Sequence, residues 1–281
     1  MNGILVVNKE KDYTSRDVVN IVSKKIGTKK IGHTGTLDPL ATGVLVLCIG
    51  KALKVAELIT AEVKEYEAEV VLGIETDTLD ITGKITNKKE EIVTKERLIE
   101  VLKSFQGKYL QEVPLYSAIK VNGKRLYEYA RNNIEVELPK KEVEIFDLEL
   151  ISDIDNNCFK IKCLVSKGTY IRSLIRDIGH KLGTYATMKE LNRTKQGQFM
   201  VENSFSLKDI DEGKYELLNI TDVIDLPKVI VDEKLEKKIK NGMILEKFFE
   251  EEKVFILNNN HELLAIYHQI DNNMVKPWKM F

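Results

Sequence analysis

Two spacings of apolar residues alternate along the chain and predict short strands separated by single helices. Apolar runs or apolar–polar alternation predict strands at residues 3–7, 44–49, 65–72, 84–86, 113–121, 141–151 and 158–165. Apolar positions three or four residues apart predict helices at residues 14–26, 98–105, 125–131 and 171–182. Runs of strands broken by single helices are typical of the α+β class with a mainly antiparallel sheet.

The C-terminal residues have a pattern of their own. Leu226-Pro227 interrupts the preceding elements, so we divide the chain into a larger unit, residues 1–225, and a smaller unit, residues 226–281. In the smaller unit, a helix and three strands are predicted at residues 235–241, 254–257, 263–267 and near residue 274. A unit this short is only marginally stable alone, and we expect it to pack against the larger one.

Composition excludes several classes of protein. With 43% hydrophobic residues among 281, the chain has enough apolar surface to fold, which excludes a disordered or collagen-like chain. The longest apolar stretch, residues 44–49, is far shorter than the roughly 20 residues that span a bilayer, and no basic leader precedes residues 4–7. Three cysteines without a C-x-x-C pair and four histidines without ligand spacing predict no disulfide framework and no metal site. We expect a cytoplasmic protein that does not enter a membrane.

Charge is distributed unevenly, although the formal net charge is only −1. Residues 208–281 contain 11 lysines against 15 acidic residues, so the rest of the chain is basic on balance. Its basic residues cluster at residues 24–30, 120–131 and 167–195. Such clusters either line a phosphate-binding face or form solvated helix ends and strand edges, and charge alone does not choose between them.

One carboxylate in a glycine-rich loop is the main candidate for chemistry. The sequence has no P-loop, no G-x-G-x-x-G after a strand and no G-x-S-x-G elbow, which argues against nucleotide hydrolysis, dinucleotide binding and a serine nucleophile. Asp38 lies in a glycine- and threonine-rich loop, and Pro39 restricts its backbone to extended conformations. A carboxylate held in this way can act as a nucleophile or a base. By composition alone, an Asx turn before proline is the commoner explanation.

The loop around Asp38 belongs to a longer motif. G-H-T-G-T-L-D-P-L-A-T-G-V-L at residues 32–45 resembles the catalytic motif of the bacterial tRNA pseudouridine-55 synthases, which are TruB-type pseudouridine synthases. Further matches in the same order are V-K-E-Y at 63–66, T-D-T-x-D-x-x-G at 76–83, P-x-Y-S-A-x-K at 114–120, G-K-x-L-Y-x-Y-A-R at 123–131, S-K-G-T-Y-I-R-S-L at 166–174, L-x-R at 191–193 and V-K-P at 275–277. Two departures lie in the first motif, where Glu10 and Asp12 replace the proline and glycine common in the family.

The resemblance implies a fold and an activity. The implied fold is the pseudouridine-synthase fold, a mainly antiparallel mixed sheet flanked by helices, followed by a small PUA-like β-barrel domain that binds RNA. The implied enzyme is an isomerase that breaks the N1 glycosidic bond of uridine 55 in the T loop of tRNA, turns the uracil and rejoins it through C5. No cofactor is needed because nothing is oxidised, reduced or phosphorylated. One carboxylate suffices because, unlike in a glycosidase, no water has to be activated.

Three residues form the catalytic set that the resemblance implies. Asp38 would attack C1′ or C6 or remove a sugar proton, and the sequence leaves these three steps open. Arg172 would hold the Asp38 carboxylate by a bidentate pair, which a lysine would not reproduce. Tyr66 would stack on the target uracil and assist proton removal from C5.

The remaining implied assignments concern RNA binding. A base inside a folded loop must be extruded before catalysis, and His33 would fill the vacated space or hold the flipped bases. Tyr170, in an extended segment two residues before Arg172, would form the pocket wall together with Leu191. Lys9 would support the site or contact phosphate. Phosphates of the T arm would be contacted by Lys120, Lys124, Arg131 and Arg193.

We expect the protein to act on the T arm of tRNA as a monomer, without an obligate protein partner. One alternative is an RNA-guided relative that works in a ribonucleoprotein, which the compact length and the lack of a long basic tail disfavour. Another is a non-catalytic tRNA-folding or RNA-binding protein, which the intact Asp38, Tyr66 and Arg172 disfavour.

Overall fold

A computed structural model describes residues 1–60 and 63–281 as strands and helices around two main sheets, with two further two-stranded sheets. The strands are β1 (Gly3–Lys9), β2 (Ile31–His33), β3 (Thr42–Ile49), β4 (Val63–Leu72), β5 (Ile74–Thr76), β6 (Ile85–Lys88), β7 (Gly107–Glu112), β8 (Lys120–Val121), β9 (Lys124–Arg125), β10 (Lys140–Leu150), β11 (Cys158–Ser166), β12 (Ala186–Gln196), β13 (Phe199–Met200), β14 (Lys228–Ile230), β15 (Leu245–Glu246), β16 (Lys253–Leu257), β17 (Leu263–Gln269) and β18 (Met274–Met280). The α-helices are α1 (Ser15–Ile26), α2 (Ala56–Ile59), α3 (Lys95–Lys103), α4 (Leu126–Arg131), α5 (Ile171–Leu182), α6 (Leu207–Asp211), α7 (Ile220–Val223) and α8 (Glu233–Lys240). Short 3₁₀ helices cover Gly50–Val55 and Val201–Asn203.

The larger sheet carries the candidate site. Its strands run in the order β1-β3-β12-β4-β11-β10-β7, with β2 paired to β3 and β13 to β12. The pairs are antiparallel except for β12 with β3, which are parallel where Arg193 pairs with Gly43. This confirms the predicted α+β class with a mainly antiparallel mixed sheet. Because Arg193 also pairs with Tyr66 on β4, the register brings β12 between the strand of Tyr66 and the strand that follows Asp38.

Two helices position the candidate site. Thr14 caps α1 through a reciprocal pair with Asp17, so the helix begins where the sequence predicts. The apolar stripe of α5, which includes Leu174 and Ile178, is buried in a core with β4, β11 and α3. Helix α5 ends at Gly183, which has a left-handed φ of 84°. None of the helices in the described part of the chain is long and apolar enough to cross a membrane.

The C-terminal strands form a second sheet. Its order is β14-β16-β17-β18-β15, and it curls into half of a barrel. Phe255 and Ile266 of this sheet share one hydrophobic core with Ile4 and Val44 of the larger sheet. The smaller unit therefore packs against the larger one, as predicted, whereas the division between residues 225 and 226 stays a prediction.

Two local predictions from the sequence are wrong. The strand expected at residues 113–121 is β7, at Gly107–Glu112, and irregular chain leads from it to β8. Pro114 accounts for the difference, because proline has no N–H to donate to a strand ladder. The extended segment expected around Arg172 is the first turn of α5, and Tyr170 is the residue that precedes the helix.

Candidate active site

Asp38 lies in the loop between β2 and β3, and contacts fix the chain on both sides of it. The Ser15 hydroxyl donates to the carbonyl of Leu37 at 3.1 Å and accepts from the N–H of Leu37 at 2.9 Å. Lys9 Nζ donates to the carbonyl of Pro39 at 3.2 Å. Helix α1 and strand β1 thus hold the residues immediately before and after the candidate carboxylate.

Arg172 forms an ion pair with Asp38, at 2.9 Å between Arg172 Nε and Asp38 Oδ2. Its terminal nitrogens donate to the carbonyls of Thr78 at 2.8 Å and Tyr116 at 3.1 Å. The contact to Asp38 runs through Nε, while the terminal nitrogens each donate to a backbone carbonyl, and the bidentate form of the pair stays a prediction. Arg172 is 5% exposed and Asp38 is 37% exposed, so a buried cation presents a carboxylate that solvent or substrate can reach.

A cavity of about 390 Å³ opens beside this ion pair. It brings together five predicted site residues, namely Asp38, Tyr66, Tyr170, Arg172 and Leu191. It is also lined by residues to which the sequence analysis assigned no role, among them Lys64, Tyr116, Ser117 and Tyr127. Four tyrosines in one small cavity supply flat apolar faces with polar edges, which suits a planar, hydrogen-bonding ring such as a nucleobase.

Tyr66 extends from β4 into the cavity and is almost fully buried. Burial raises the pKa of the Tyr66 hydroxyl, and the nearby Arg193 guanidinium acts in the opposite direction. The raised pKa keeps the hydroxyl protonated near neutral pH. The side chain therefore offers a ring face and a neutral hydroxyl, and its predicted help in proton removal stays a prediction.

A buried glutamine that sequence reasoning missed holds the start of α5. Gln111 Oε1 accepts from the N–H of Tyr170 at 2.8 Å, and Gln111 Nε2 donates to the carbonyl of Tyr170 at 3.1 Å. This two-point contact sets the backbone that leads to Arg172. A single glutamine in an amphipathic strand has no motif or spacing that would reveal it from the sequence.

Lys9 is buried beneath the loop rather than placed at the RNA. Besides Pro39, its Nζ donates to the carbonyls of Glu10 at 2.9 Å and Tyr13 at 2.6 Å. Burial lowers the pKa of Lys9 to about 8, although the Asp38 charge acts in the opposite direction. These contacts are the ones that a supporting role requires, and that role stays a prediction. The enclosed side chain is not placed to contact a phosphate.

The departure from the family at Asp12 has a visible consequence. Asp12 has a φ of 70°, the left-handed conformation that glycine adopts most easily and that aspartate tolerates better than most residues. Its N–H donates to the carbonyl of Pro39 at 2.9 Å. The turn before α1 is therefore made without the glycine, and it still contacts the loop of Asp38.

Arg193 does not lie where the sequence analysis placed it. The side chain is fully buried and donates to backbone carbonyls of the Asp38 loop and β3. The predicted phosphate contact is wrong because the guanidinium is enclosed by β3, β4 and the loop. His33, at the end of β2, is partly buried and is not among the described residues that line the cavity. Burial and the charges of Arg193 and Arg16 lower its pKa, and its role toward a flipped base stays a prediction.

The basic cluster at residues 120–131 lies at the surface near the cavity. Lys120, Lys124 and Arg131 are exposed on the β8–β9 hairpin and on α4. Tyr127 of α4 lines the cavity, and the Arg125 and Arg131 guanidinium groups lie 5.8 Å and 5.4 Å from its ring centre. The cluster lies where a phosphate backbone could run past the cavity. The predicted phosphate contacts stay predictions.

Two family models match consecutive parts of the chain. Residues 23–171, which include Asp38 and Tyr66, match the N-terminal domain of TruB family pseudouridylate synthase. Residues 172–231, which begin with Arg172, match the tRNA pseudouridylate synthase B C-terminal domain. The chain belongs to the TruB family of pseudouridylate synthases.

Relatives of this TruB-family chain match it over its whole length. The chain is 40% identical to tRNA pseudouridine synthase B of Bacillus anthracis, with 100% of this chain and 97% of the relative covered. It is 44% identical to tRNA pseudouridine synthase B of Oceanobacillus iheyensis, with 100% of this chain and 98% of the relative covered.

Solved structures share the fold of this TruB-family chain. An H/ACA ribonucleoprotein bound to a substrate RNA containing 2′-deoxyuridine and a Cbf5-Nop10-Gar1 complex each contain a chain with a TM-score of 0.70 and 24% identity. In both cases 99% of this chain and 84% of the other is covered. The pseudouridine-synthase fold is thereby confirmed. As a member of the TruB family the protein is a pseudouridine synthase, which is an isomerase that acts on RNA.

Proposed function

We propose that this protein isomerises uridine 55 in the T loop of tRNA to pseudouridine, with Asp38 as the catalytic carboxylate and without a cofactor. One observation carries the proposal: Asp38, held by the buried Arg172, faces a small cavity walled by tyrosines in a TruB-family chain. The relatives named tRNA pseudouridine synthase B support tRNA as the substrate. The position within tRNA rests on the resemblance of the motifs.

The chemistry assigns a role to each element of the cavity. Extrusion of a base from a folded RNA loop costs a few kcal/mol, and stacking on Tyr66 compensates part of this cost, since base–aromatic stacking contributes about 1–3 kcal/mol. Asp38 then attacks C1′ or C6 or removes a sugar proton, while Arg172 fixes the direction of the carboxylate. The walls of the cavity keep the released uracil close enough to turn and rejoin through C5.

The surface near the cavity fits the T arm. Lys120, Lys124 and Arg131 contact phosphates on the strand that carries the target uridine. The PUA-like C-terminal sheet extends the RNA contact. We infer that the protein works in the cytoplasm, as a monomer and without an obligate protein partner.

A direct experiment tests the proposal. The purified protein alone is incubated with an unmodified tRNA transcript, and pseudouridine is mapped by position. Formation at position 55, and its loss when that uridine is replaced by cytidine, is the expected result. Modification only after addition of a guide RNA would favour the ribonucleoprotein alternative, and tRNA binding without any pseudouridine would favour the non-catalytic one.

A further inference from the structure

Arg193 is a fully buried cation that contacts the catalytic loop at several points. Its Nη2 donates to the carbonyl of Gly35 at 3.0 Å, and its Nη1 lies 3.4 Å from the carbonyl of Thr36. Its Nε donates to the carbonyl of Val44 at 2.7 Å. One side chain of β12 thus ties the chain before Asp38 to the strand that follows it.

The burial of this guanidinium needs an explanation. Removal of an ion from water costs several kcal/mol even after the protein relaxes, and the contacts above direct the charge to neutral carbonyls. An apolar residue would fill the same space in the sheet at lower cost. The cation is therefore present for its geometry, because a planar guanidinium can bridge carbonyls that lie on two different segments.

A second buried side chain of β12 acts on the same loop. Gln196 Nε2 donates to the Thr34 hydroxyl at 2.6 Å. Within the described part of the chain, Gln196 Oε1 is buried without a hydrogen-bond partner. An unpaired buried oxygen is unfavourable, so the favourable contribution of the Gln196 side chain is the hydrogen bond from its Nε2 to the Thr34 hydroxyl.

Two glycines of the motif at residues 32–45 leave room for the close approach of β12. A Cβ atom at Gly35 would approach Gln196 Oε1 to 3.2 Å and Arg193 Nη1 to 3.4 Å. A Cβ atom at Gly43, where φ is 97°, would overlap the Arg193 backbone. Gly35 and Gly43 thus allow β12 to lie close to the segments before and after Asp38.

We propose that Arg193 and Gln196 are positioning residues that hold residues 34–36 against β12 and so fix the direction of the Asp38 carboxylate. The inference rests on the proposed catalytic role of Asp38. Ser15 and Lys9 hold the residues next to Asp38, whereas Arg193 and Gln196 hold the turn that leads into it.

The first test is Arg193→Lys, which keeps the charge but loses the planar fork. Under single-turnover conditions with saturating enzyme, we expect pseudouridine formation in tRNA to slow roughly 100-fold, as a misplacement of about 1 Å does. The tRNA affinity and its salt dependence should stay as in the parent. Arg97→Lys, the same change at an exposed arginine of α3, is the matched control and should leave the rate unchanged.

Two outcomes would overturn the proposal. A rate within threefold of the parent would show that the fork does not position Asp38. In Arg193→Met, which removes the charge, a salt slope reduced by about one would show that Arg193 contacts a phosphate after all.

A second pair of variants keeps the test valid if Arg193→Lys does not fold. Thr34→Val removes the acceptor of Gln196 Nε2 at nearly constant shape, and Thr34→Ser keeps a hydroxyl. We expect Thr34→Val to slow the single-turnover step by about fivefold, the equivalent of one neutral hydrogen bond, and Thr34→Ser to stay near the parent. Equal rates for the two variants would contradict the proposal.

Amide hydrogen exchange separates this inference from the proposed function. Residues 34–38 should exchange faster in Arg193→Lys or Thr34→Val than in the parent, Arg97→Lys or Thr34→Ser, whether or not any pseudouridine is formed. If the parent does not modify tRNA, the proposed function fails while exchange still tests the attachment to β12. Unchanged exchange in an active enzyme would refute the attachment alone.

Discussion

Asp38→Asn separates the chemistry of the site from its architecture. The amide is nearly isosteric with the carboxylate, and its oxygen can take the place of Asp38 Oδ2, 2.9 Å from Arg172 Nε. The backbone contacts through Ser15, Lys9 and Arg193 do not involve the changed group. What disappears is a negative charge and the ability to act as a nucleophile or a base.

The structure allows the cost to folding and the cost to catalysis to be compared. A hydrogen bond to a charged group contributes about 1.5–3 kcal/mol and a neutral one about 0.5–1.5 kcal/mol, so the variant should lose about 1–2 kcal/mol of unfolding free energy. The loss should stay below the roughly 3–5 kcal/mol expected when one partner of a buried pair is removed, because the amide keeps a polar oxygen beside Arg172 and Asp38 is 37% exposed. A domain with roughly 5–15 kcal/mol of stability remains folded.

Catalysis should respond far more strongly. If the carboxylate takes part in the chemistry, the rate should fall by more than the roughly 10²–10⁴-fold typical of a lost general acid or base. A 10⁴-fold loss corresponds to about 5.5 kcal/mol in the barrier, well above the cost to folding. RNA affinity should persist or increase slightly, since a negative charge near phosphates has been removed.

The assay measures pseudouridine in unmodified tRNA under single-turnover conditions, together with a binding titration at fixed salt and a thermal melt. Asp222→Asn, the same change in an exposed ion pair with Lys228, is the control. Because Pro39 has no backbone N–H, the new amide cannot return to aspartate through a succinimide, so residual turnover is not an artefact of deamidation. Activity within tenfold of the parent would refute the catalytic role of Asp38.

Three further predictions concern Arg172, Lys9 and the C-terminal unit. Arg172→Lys should slow the single-turnover step roughly 100-fold at unchanged tRNA affinity, because a lysine ammonium cannot reproduce the planar fork that places Nε at Asp38 and the two Nη atoms at separate carbonyls. An unchanged rate would show that orientation is not the role of Arg172. Burial lowers the pKa of Lys9 from 10.5 to about 8, so between these pH values the unfolded chain binds more protons than the folded protein. The unfolding free energy should therefore rise with pH in this range by up to about 1.4 kcal/mol per pH unit relative to Lys9→Met. Parallel plots of unfolding free energy against pH for the parent and Lys9→Met would contradict this. Deletion of residues 226–281 uncovers the core around Ile4 and Val44 and should lower the melting temperature and, modestly, the tRNA affinity, while a folded truncation without turnover would show that the tail is needed for catalysis.

The proposed catalytic set could be predicted from the sequence because each member lies in a recognisable motif. Asp38, Tyr66 and Arg172 come from a loop, a strand and a helix far apart in the chain, and the structure brings them to one cavity. Periodicity alone would not have joined them. The strand that was misplaced to residues 113–121 shows the limit of apolar spacing, since the apolar residues there line an irregular segment around Pro114.

Lys9 and Arg193 show why the sequence misjudged the basic residues. Lysine and arginine are almost never fully buried unless paired, so their position near a proposed RNA site favoured phosphate contacts. Lys9 ends the edge strand β1 and Arg193 lies on the internal strand β12, but both side chains are buried, and backbone carbonyls of the Asp38 loop and its flanks replace the water that a surface cation would bind. Gln111 was missed for a related reason, because its partner is backbone and backbone has no sequence signature.

The positions of the cations also explain how a protein with a net charge of −1 can serve an RNA. Lys9, Arg172 and Arg193 lie within or beneath the loop of the single carboxylate Asp38. The exposed basic cluster of β8, β9 and α4 adjoins the cavity, while the acidic excess belongs to residues 208–281. Salt screens electrostatic fields over a Debye length of roughly 8–10 Å, so the charges near the cavity, rather than the net charge of the protein, decide which ligands are attracted to it. The three buried cations are committed to the architecture of the Asp38 loop, so phosphate binding is left to exposed basic residues such as those of β8, β9 and α4.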